Sequence, residues 1–309
     1  MAEFKDFYFP SCDGKSSIRA RECRPEGTPK AVVQIAHGIA EHIERYDDFA
    51  AFLASKGFLV VGNDHLGHGK SFKTAEDKGF FTEKDGWMTV VSDLKKLHDT
   101  VAAENPGIPY VFFGHSMGSF LARTYLIKYP KDLSAAVISG TGHQGKALVI
   151  AGETMGNLLS RFKGARSDGQ ALNDIAFGAY CAKIENPRTA FDWLSRKEEN
   201  VDKYMADENC GFVCKTGLYR DMMSGIKFIT NQKNIELMNK ATPVYFMSGD
   251  ADPVGDYGKG VEAAYKAFCK AGMQDVTIRL YPGGRHEMLN EINNEQVYAD
   301  ILDWIESKI

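Results

Sequence analysis

The fold is decided by the stretch Tyr110-Val-Phe-Phe-Gly-His-Ser-Met-Gly-Ser-Phe-Leu-Ala-Arg-Thr-Tyr125. Its first residues form an apolar run of the kind that fills a buried strand, and the run breaks at Gly114. Beyond the break, apolar residues return at helical spacing. The stretch therefore predicts a strand, a sharp turn that carries Ser116, and a helix that begins at Met117.

Ser116 has the surroundings of a nucleophilic serine. Gly114 and Gly118 flank it in the pattern Gly-x-Ser-x-Gly, and glycines at these places let the neighbouring backbone pass without a Cβ clash. The following helix places free N–H groups next to the serine, where negative charge develops during acyl transfer. Because such a Gly-rich turn also occurs by chance, the assignment depends on finding the partners of Ser116.

The composition is that of an ordinary folded protein. The 309 residues suffice for one α/β domain with a substantial insertion, and 44% apolar with 25% charged residues argues against disorder. A net charge of −4 provides no basic surface for nucleic acid. The N-terminal residues lack the apolar run of a secretory signal, and no segment is long enough to span a membrane.

Neither the cysteines nor the histidine clusters indicate a metal site. Six scattered cysteines are too few for a disulfide framework, which predicts reduced thiols and a cytoplasmic location. Cys210 and Cys214 could form half of a metal site, but no second Cys/His pair accompanies them. Asp64, His65 and His68 resemble metal ligands, yet the glycines among them favour a tight structural loop. We therefore expect no metal and no cofactor.

Buried strands alternate with helices through most of the chain. An antiparallel pair is expected at 4–9 and 17–24. Further strands are predicted at 31–36, 58–62, 133–139, 244–247 and 276–281, and helices at 45–56, 87–104, 258–270 and 294–308. This alternation predicts an α/β fold with a mostly parallel central sheet flanked by helices.

The alternation stops in the middle of the chain. Residues 144–234 contain no comparable strand run, and their Met- and aromatic-rich patterns predict helices. We therefore expect a core made of residues 1–143 and 235–309, with residues 144–234 as a helical insertion.

A serine nucleophile needs a histidine base, and the base needs an orienting acid. Proteins with this type of serine turn carry the serine, the acid and the histidine in that chain order. Of the eight histidines, only His286 comes after His143. It follows the last predicted strand, at the sheet edge where open α/β proteins carry their sites.

The acid has two candidates, Asp250 and Asp252, which follow the strand at 244–247. Asp256 is a more distant third. Spacing alone does not separate the first two, and the other one is expected to be a turn residue.

Two backbone N–H groups would bind the negative oxygen of the intermediate. One comes from the residue after the nucleophile, here Met117, and the other from a loop after an early strand. His37-Gly38-Ile39 lies in that position, so we nominate the N–H of Ile39.

With these residues in place, the sequence resembles the monoacylglycerol lipase and lysophospholipase branch of the α/β-hydrolases, also called the serine aminopeptidase S33 or Hydrolase_4 group. The matching segments are His37-Gly-Ile-Ala-Glu-His-Ile-Glu-Arg-Tyr46, Asn63-Asp-His-Leu-Gly-His-Gly-Lys-Ser71, Gly114-His-Ser-Met-Gly118 and Gly249-Asp-Ala-Asp-Pro-Val254. They occur in family order and span most of the chain outside the insertion.

The resemblance implies roles for the candidate residues. The family pattern Gly-x-x-Asp matches Asp252 to the catalytic acid, whereas Asp250 is an extra carboxylate beside it. Ser116 and His286 match the nucleophile and the base. In the same way, the amides nominated above match the oxyanion donors, and the insertion matches the family's cap, or lid.

The implied activity is hydrolysis of carboxylic esters through an acyl-enzyme, without metal or cofactor. The implied substrates are small-molecule or lipid esters with a single chain, such as monoacylglycerols and lysophospholipids. An apolar cap above the serine would form a pocket for an acyl chain. Such a cap is also compatible with a dimer or with transient contact with a membrane surface.

Several alternatives remain open. A short-chain general esterase would use the same residues. A proline iminopeptidase-like peptidase would need an acidic anchor for the substrate's amino group, and those enzymes usually have Trp where this chain has Met117. A haloperoxidase-like or C–C hydrolase would keep the same three residues. From another class, a hydrolase-fold protein could bind a ligand without turnover, although such proteins often lack part of the triad.

Overall fold

The computed structural model describes residues 3–309 and contains one eight-stranded sheet. The strands are β1 (Phe4–Pro10), β2 (Ser17–Cys23), β3 (Val32–Ala36), β4 (Leu59–Asn63), β5 (Tyr110–His115), β6 (Ala135–Ser139), β7 (Val244–Gly249) and β8 (Val276–Tyr281). Residues 1 and 2 lie outside the described residues. They belong to the expected core and to the N-terminal segment that was compared with a secretory signal above.

Helices connect the strands and flank the sheet. The α-helices are α1 (Asp47–Ser55), α2 (Gly86–Glu104), α3 (Met117–Lys128), α4 (Lys146–Lys163), α5 (Gln170–Phe177), α6 (Glu198–Ala206), α7 (Thr216–Thr230), α8 (Gln232–Ile235), α9 (Lys259–Lys270) and α10 (Asn294–Glu306). Short 3-10 helices lie at Ile43–Tyr46, Ala75–Asp77, Asp192–Leu194 and Met288–Asn290. Within residues 3–309, no helix is both long and apolar enough to cross a lipid bilayer.

The strand order in the sheet is β1-β2-β4-β3-β5-β6-β7-β8. The pairs β1–β2 and β2–β4 are antiparallel, and every following pair is parallel. The carboxyl ends of β3 to β8 therefore meet at one edge of the sheet. This arrangement confirms the predicted fold class, a mostly parallel sheet flanked by helices.

Each face of the sheet is covered by its own apolar core. Alternate residues of a strand contribute to the two cores: Phe112 packs with α2, α3 and α9, whereas its neighbour Phe113 packs with α1 and α10. All residues of β3 to β7 are buried. Burial on both faces explains why these strands are almost continuously apolar in the sequence.

The helix predicted at 45–56 differs from the structure in its first turn. The chain from Ile43 to Tyr46 is a 3-10 helix that continues into α1, instead of one α-helix beginning near residue 45. The N–H of Ile43 donates to the buried Asp64 carboxylate (2.9 Å), so a side chain from another loop satisfies the start of the helix. A 3-10 turn is common at such a terminus.

The described residues between β6 and β7 form helices α4 to α8 and contain no strand. Within them, α4 packs on α7, and α7 packs on α2 and α3 of the sheet layer. Gly225 of α7 faces Trp87 of α2 so closely that a Cβ there would overlap the indole ring. The helical segment thus rests directly on the helices that cover one face of the sheet.

Candidate active site

Four of the residues singled out in the sequence lie after strands of the sheet. Ser116 follows β5 directly, Asp252 follows β7, His286 follows β8, and Ile39 follows β3. Because these strands are parallel, all four residues lie at the same edge, where sites of open α/β sheets form. The structure therefore brings together residues that are far apart in the sequence.

Ser116 occupies a strained turn. Its φ is 53° and its ψ is −121°, a conformation that non-glycine residues rarely adopt and that costs about 1–3 kcal/mol. Hydrogen bonds fix the backbone there. The N–H of Ser116 donates to the carbonyl of Ser139 on β6 (3.0 Å), and its carbonyl accepts from the N–H and Oγ of Ser119 (2.8 and 2.6 Å).

The two glycines of the motif are required by close packing. A Cβ on Gly118 would overlap the carbonyl oxygen of Ala36 at the end of β3. A Cβ on Gly114 would overlap the carbonyl of Gly118 and lie 2.7 Å from the Cβ of Ala122. Helix α3 therefore starts in direct contact with the backbone of the central strands, which supports the steric explanation inferred from the sequence.

His286 is bound to Asp252. The Nδ1 of His286 lies 2.9 Å from Oδ2 of Asp252, and both side chains are buried. Asp252 also accepts hydrogen bonds from the Oγ of Ser248 (3.0 Å) and the N–H of Val254 (2.9 Å). With Nδ1 donating to the carboxylate, Nε2 of His286 is the ring nitrogen that remains free to accept a proton.

The His286 ring lies next to two aromatic rings. Ring centroids of His115 and Trp193 lie 4.6 and 5.1 Å from it. Burial alone would lower the pKa of His286, but the charge and hydrogen bond of Asp252 raise it above its ordinary value. Burial, together with the neighbouring His286, lowers the pKa of His115 to about 4. Two adjacent imidazoles, tilted by 46° relative to each other, thus differ in their affinity for a proton.

The other two acid candidates lie elsewhere. Asp250 is exposed and accepts a hydrogen bond from the N–H of Gly283 (2.6 Å). Asp256 is exposed on the turn that follows Asp252. Among the candidates, only Asp252 contacts His286, and Asp250 has the turn role expected for the second carboxylate.

The two nominated amides lie beside Ser116. Met117 follows it directly, and a Cβ placed on Gly38 would come within 3.1 Å of the Ser116 Cβ, which puts the start of the Ile39 loop against the serine. Within residues 3–309, neither the N–H of Ile39 nor that of Met117 donates a hydrogen bond. Both groups are therefore available to an acceptor next to Ser116.

A cavity of about 310 Å³ opens above these residues. Ser116, Ile39 and His286 line it together with side chains from the helical segment. Its aromatic lining residues are Phe177, Phe191, Trp193, Tyr204, Phe212 and Tyr219. Its polar lining residues from α5 are Gln170, Asn173 and Asp174. Such an apolar cavity with a few polar groups suits a small organic ligand.

A buried ion-pair network contributes Glu41 and Glu287 to the lining of the cavity. Arg45 binds Glu41 (2.6 Å) and, with two bonds, Glu287 (2.6 and 2.7 Å). Glu41 accepts the N–H of Gly38 (2.5 Å), and Asn200 of α6 donates to Glu287 (2.7 Å). The network joins the loop after β3, the loop that carries His286, and the helical segment.

This network was not predicted from the sequence. Burial would raise the pKa of Glu287, but the charge of Arg45 lowers it. Glu41 and Arg45 are four residues apart within the first family segment. This spacing, which is typical of an ion pair, was the only indication of the network in the sequence. The third member, Glu287, lies 242 positions from Arg45, so local spacing could not reveal it.

The metal-like group after β4 makes structural contacts. The Asp64 carboxylate binds the N–H groups of Ile43 and Lys70 (both 2.9 Å) and the Arg19 guanidinium (3.2 Å). His65 and His68 are buried, and burial lowers their pKa values to about 3 and about 4. The contacts of Asp64 support a structural role for this loop.

Comparison with known proteins places the chain among hydrolases. Residues 27–293 match the family described as Hydrolase_4, serine aminopeptidase, S33. The monoglyceride lipase of Mus musculus is 28% identical over 294 residues, covering 94% of this chain and 86% of the relative. The monoacylglycerol lipase of Mycolicibacterium smegmatis is 28% identical, with 92% and 91% covered.

A solved structure shares the whole fold. The thermostable carboxyl esterase from Bacillus coagulans, crystallised in complex with glycerol, is 30% identical and superposes with a TM-score of 0.92. The match covers 100% of this chain and 99% of that protein. Together these comparisons confirm the resemblance found in the sequence and the predicted enzyme class, a hydrolase that acts on esters.

The close contact at Gly118 leads to a stability prediction. We expect Gly118→Ala to lower the free energy of unfolding by about 3 kcal/mol, because the added Cβ meets backbone that cannot move aside. Gly145→Ala is the control, since a Cβ there has no atom within 4 Å and should cost about 1 kcal/mol or less. Urea unfolding measures both, and equal losses would contradict the packing argument.

The imidazole pair leads to a titration prediction. In NMR titrations, His286 should have a pKa above the ordinary value of about 6.5, whereas His115 should titrate near 4. Asp252→Asn should lower the pKa of His286, because burial then acts without the opposing carboxylate. Spectra of His286→Gln and His115→Gln assign the signals. An unchanged His286 pKa in Asp252→Asn would show that the carboxylate is not the cause.

Proposed function

The chain belongs to the Hydrolase_4 family of serine aminopeptidase S33 proteins, and on that basis we propose that it hydrolyses carboxylic esters of single-chain lipids. Ser116 is the nucleophile, His286 the base, and Asp252 the acid that orients the base. The N–H groups of Ile39 and Met117 form the oxyanion hole. The observation that carries the proposal is the shared cavity of Ser116 and His286, with His286 held by a buried carboxylate.

Acylation begins at the strained turn. The Oγ of Ser116 attacks the ester carbonyl while Nε2 of His286 takes its proton. The Asp252 carboxylate keeps the other ring nitrogen protonated and stabilises the imidazolium that forms. His286 then donates the proton to the departing alcohol, which leaves an acyl group on Ser116.

The negative oxygen of the intermediate is stabilised by two amides. Ile39 and Met117 have N–H groups without another acceptor among the described residues, so no existing bond must break before they bind the oxygen. Each donor in such a hole contributes about 3 kcal/mol to transition-state stabilisation. The contact between Glu41 and the N–H of Gly38 supports a fixed orientation for this loop.

Deacylation uses the same groups. A water molecule loses a proton to Nε2 of His286 and attacks the acyl carbon. When the second intermediate collapses, His286 returns this proton to Oγ of Ser116 and the acid is released. Apart from the substrate and this water, both halves of the reaction use groups of this chain.

The cavity supports a substrate with one acyl chain and a small alcohol. Most lining side chains are apolar or aromatic, and the polar residues of α5 provide hydrogen-bonding groups for an alcohol. Two of the relatives are named monoglyceride or monoacylglycerol lipases. Monoacylglycerols are therefore the first substrate class, and lysophospholipids the second.

A short-chain ester is the second candidate substrate. The cavity volume of about 310 Å³ is at the lower end of the range for ligand pockets, which favours short acyl groups. A prolyl peptide fits less well, because most of the lining side chains are apolar or aromatic. Its amino group would need a carboxylate; the buried Glu41 and Glu287 both bind Arg45, which leaves Asp174 of α5 among the carboxylates of the lining.

We further propose that residues 144–234 act as a cap on a core made of residues 1–143 and 235–309. The aromatic cavity lining contributed by this segment supports the assignment, because it would keep water from the acyl group. A cytoplasmic location and transient membrane contact remain predictions.

A substrate series tests the proposed function. We expect kcat/KM to peak on a monoacylglycerol within a chain-length series, with lower values for lysophosphatidylcholine and none for prolyl-naphthylamide. Ser116→Ala, as the matched control, should lose at least about 10⁴-fold in kcat while it remains folded. Activity confined to very short esters would mean that the substrates are short-chain esters and not lipids. Prolyl amide cleavage with inert esters, or an active Ser116→Ala, would contradict the proposal.

The two neighbouring carboxylates give a matched pair of variants. Asp252→Asn should lower kcat by about 10⁴-fold, because the amide no longer holds His286 in the correct tautomer. Asp250→Asn makes the same chemical change two residues away, on a side chain that contacts Gly283, and kcat should change less than about threefold. Comparable losses in the two variants would mean that Asp252 is not the acid.

A further inference from the structure

Three side chains of different chemistry meet next to the cavity wall. His42 lies in the loop after β3, and Asp207 and Cys210 lie in the turn after α6. One nitrogen of His42, one carboxylate oxygen of Asp207 and the sulfur of Cys210 all lie within 4.8 Å of one another. The closest pair is Nε2 of His42 and Oδ2 of Asp207, at 2.8 Å.

A tight turn in the helical segment places Asp207 and Cys210 on the same side of His42. The N–H of Asn209 donates to the second carboxylate oxygen of Asp207 (2.8 Å), and the N–H of Cys210 donates to the Asp207 carbonyl (3.0 Å). Gly211 follows with a φ of 65°, and its N–H donates to the Ala40 carbonyl (2.9 Å). These bonds hold Asp207 and Cys210 against His42 without any contribution from an ion.

The cluster is shielded but can be reached from solvent. His42 and Cys210 are buried, whereas the Asp207 side chain is 34% exposed. The charges near Cys210 are the carboxylates of Asp207, Glu41 and Glu287 and the guanidinium of Arg45. Three carboxylates face one guanidinium, so the charge around the cluster is negative on balance, which favours a cation.

We propose that His42, Asp207 and Cys210 form a binding site for a divalent ion of the zinc class. Imidazole nitrogen, thiolate sulfur and carboxylate oxygen are the three ligand types of Zn²⁺, and three protein ligands leave a fourth position for water. The thiolate and imidazole select against Mg²⁺ and Ca²⁺, which take oxygen ligands. On binding, Cys210 gives up its thiol proton to solvent and coordinates as the thiolate, and the proton that Nε2 of His42 donates to Asp207 is transferred to Nδ1, so that Nε2 can coordinate the ion.

The bound ion would tie the helical segment to the loop after β3. The two are already joined by the Gly211–Ala40 bond and by the hydroxyl of Tyr204, which donates to the same Ala40 carbonyl (3.1 Å). His42 follows Ile39 by three residues, and Phe212, two residues after Cys210, lines the cavity. The ion would therefore fix one wall of the cavity in place. Its ligands are distinct from the three residues proposed for ester hydrolysis.

Cadmium titration tests the site directly, because a cadmium–thiolate bond produces an ultraviolet charge-transfer band. The full-length chain should carry Cys12→Ser and Cys269→Ser, which remove the two exposed thiols. We expect one equivalent of Cd²⁺ to saturate the band. Added Zn²⁺ should displace the Cd²⁺ and remove the band. In this background, Cys210→Ser should abolish the band, and Asp207→Asn and His42→Gln should each weaken binding by at least about tenfold.

Cys214→Ser is the matched control. Cys214 is a buried thiol four residues from Cys210 that does not belong to the cluster, so its removal should leave the band intact. A band that survives Cys210→Ser, or no saturable band at all, would overturn the proposal. Unchanged affinity in both Asp207→Asn and His42→Gln would mean binding by a lone thiol, which also overturns it.

Melting curves without metal establish that each variant is folded. If Cys210→Ser does not fold, Asp207→Asn and His42→Gln still decide the result. The readout is metal binding and does not depend on the roles proposed for Ser116, His286 and Asp252.

Discussion

The close contact between the start of α3 and the end of β3 is the constraint on which the site depends. Only a glycine at position 118 lets the helix backbone approach the Ala36 carbonyl, and this contact lies two residues after Ser116, whose φ is 53°. The cost of this conformation, about 1–3 kcal/mol, is offset by the backbone bonds of Ser116 and by the two buried cores beside β5. The serine is therefore held in position by the packing of the whole sheet.

Charged side chains in the loops connect this rigid centre to the helical segment. Arg45 lies between Glu41, which holds the Gly38 peptide, and Glu287, which adjoins His286. Breaking such a buried network leaves an unpaired charge, which is far more costly than losing a surface ion pair. The loop after β3 and the loop after β8 are thus positioned relative to each other by the same guanidinium. The nominated Ile39 amide and His286 are therefore held at a fixed distance from each other by this network.

Local sequence patterns predict the sheet well because burial on both faces leaves long apolar runs in β3 to β7. The flanking glycines nominate Ser116, and its unique place in the chain order nominates His286. Spacing could not separate Asp250 from Asp252, because only the folded turn directs one carboxylate to His286 and the other to Gly283. The contacts Arg45–Glu287 and His42–Asp207 join residues 242 and 165 positions apart. Such pairs carry no local signal and required the structure.

Covalent labelling tests the central role of Ser116 most directly. An alkyl fluorophosphonate loses fluoride when an activated serine attacks its phosphorus, and the adduct can be located by mass spectrometry of peptides. The proposed mechanism predicts a single adduct per chain, on Ser116, that forms much more slowly in Asp252→Asn and does not form in Ser116→Ala. Labelling of another residue, or equal labelling of Ser116→Ala, would contradict the assignment of the nucleophile.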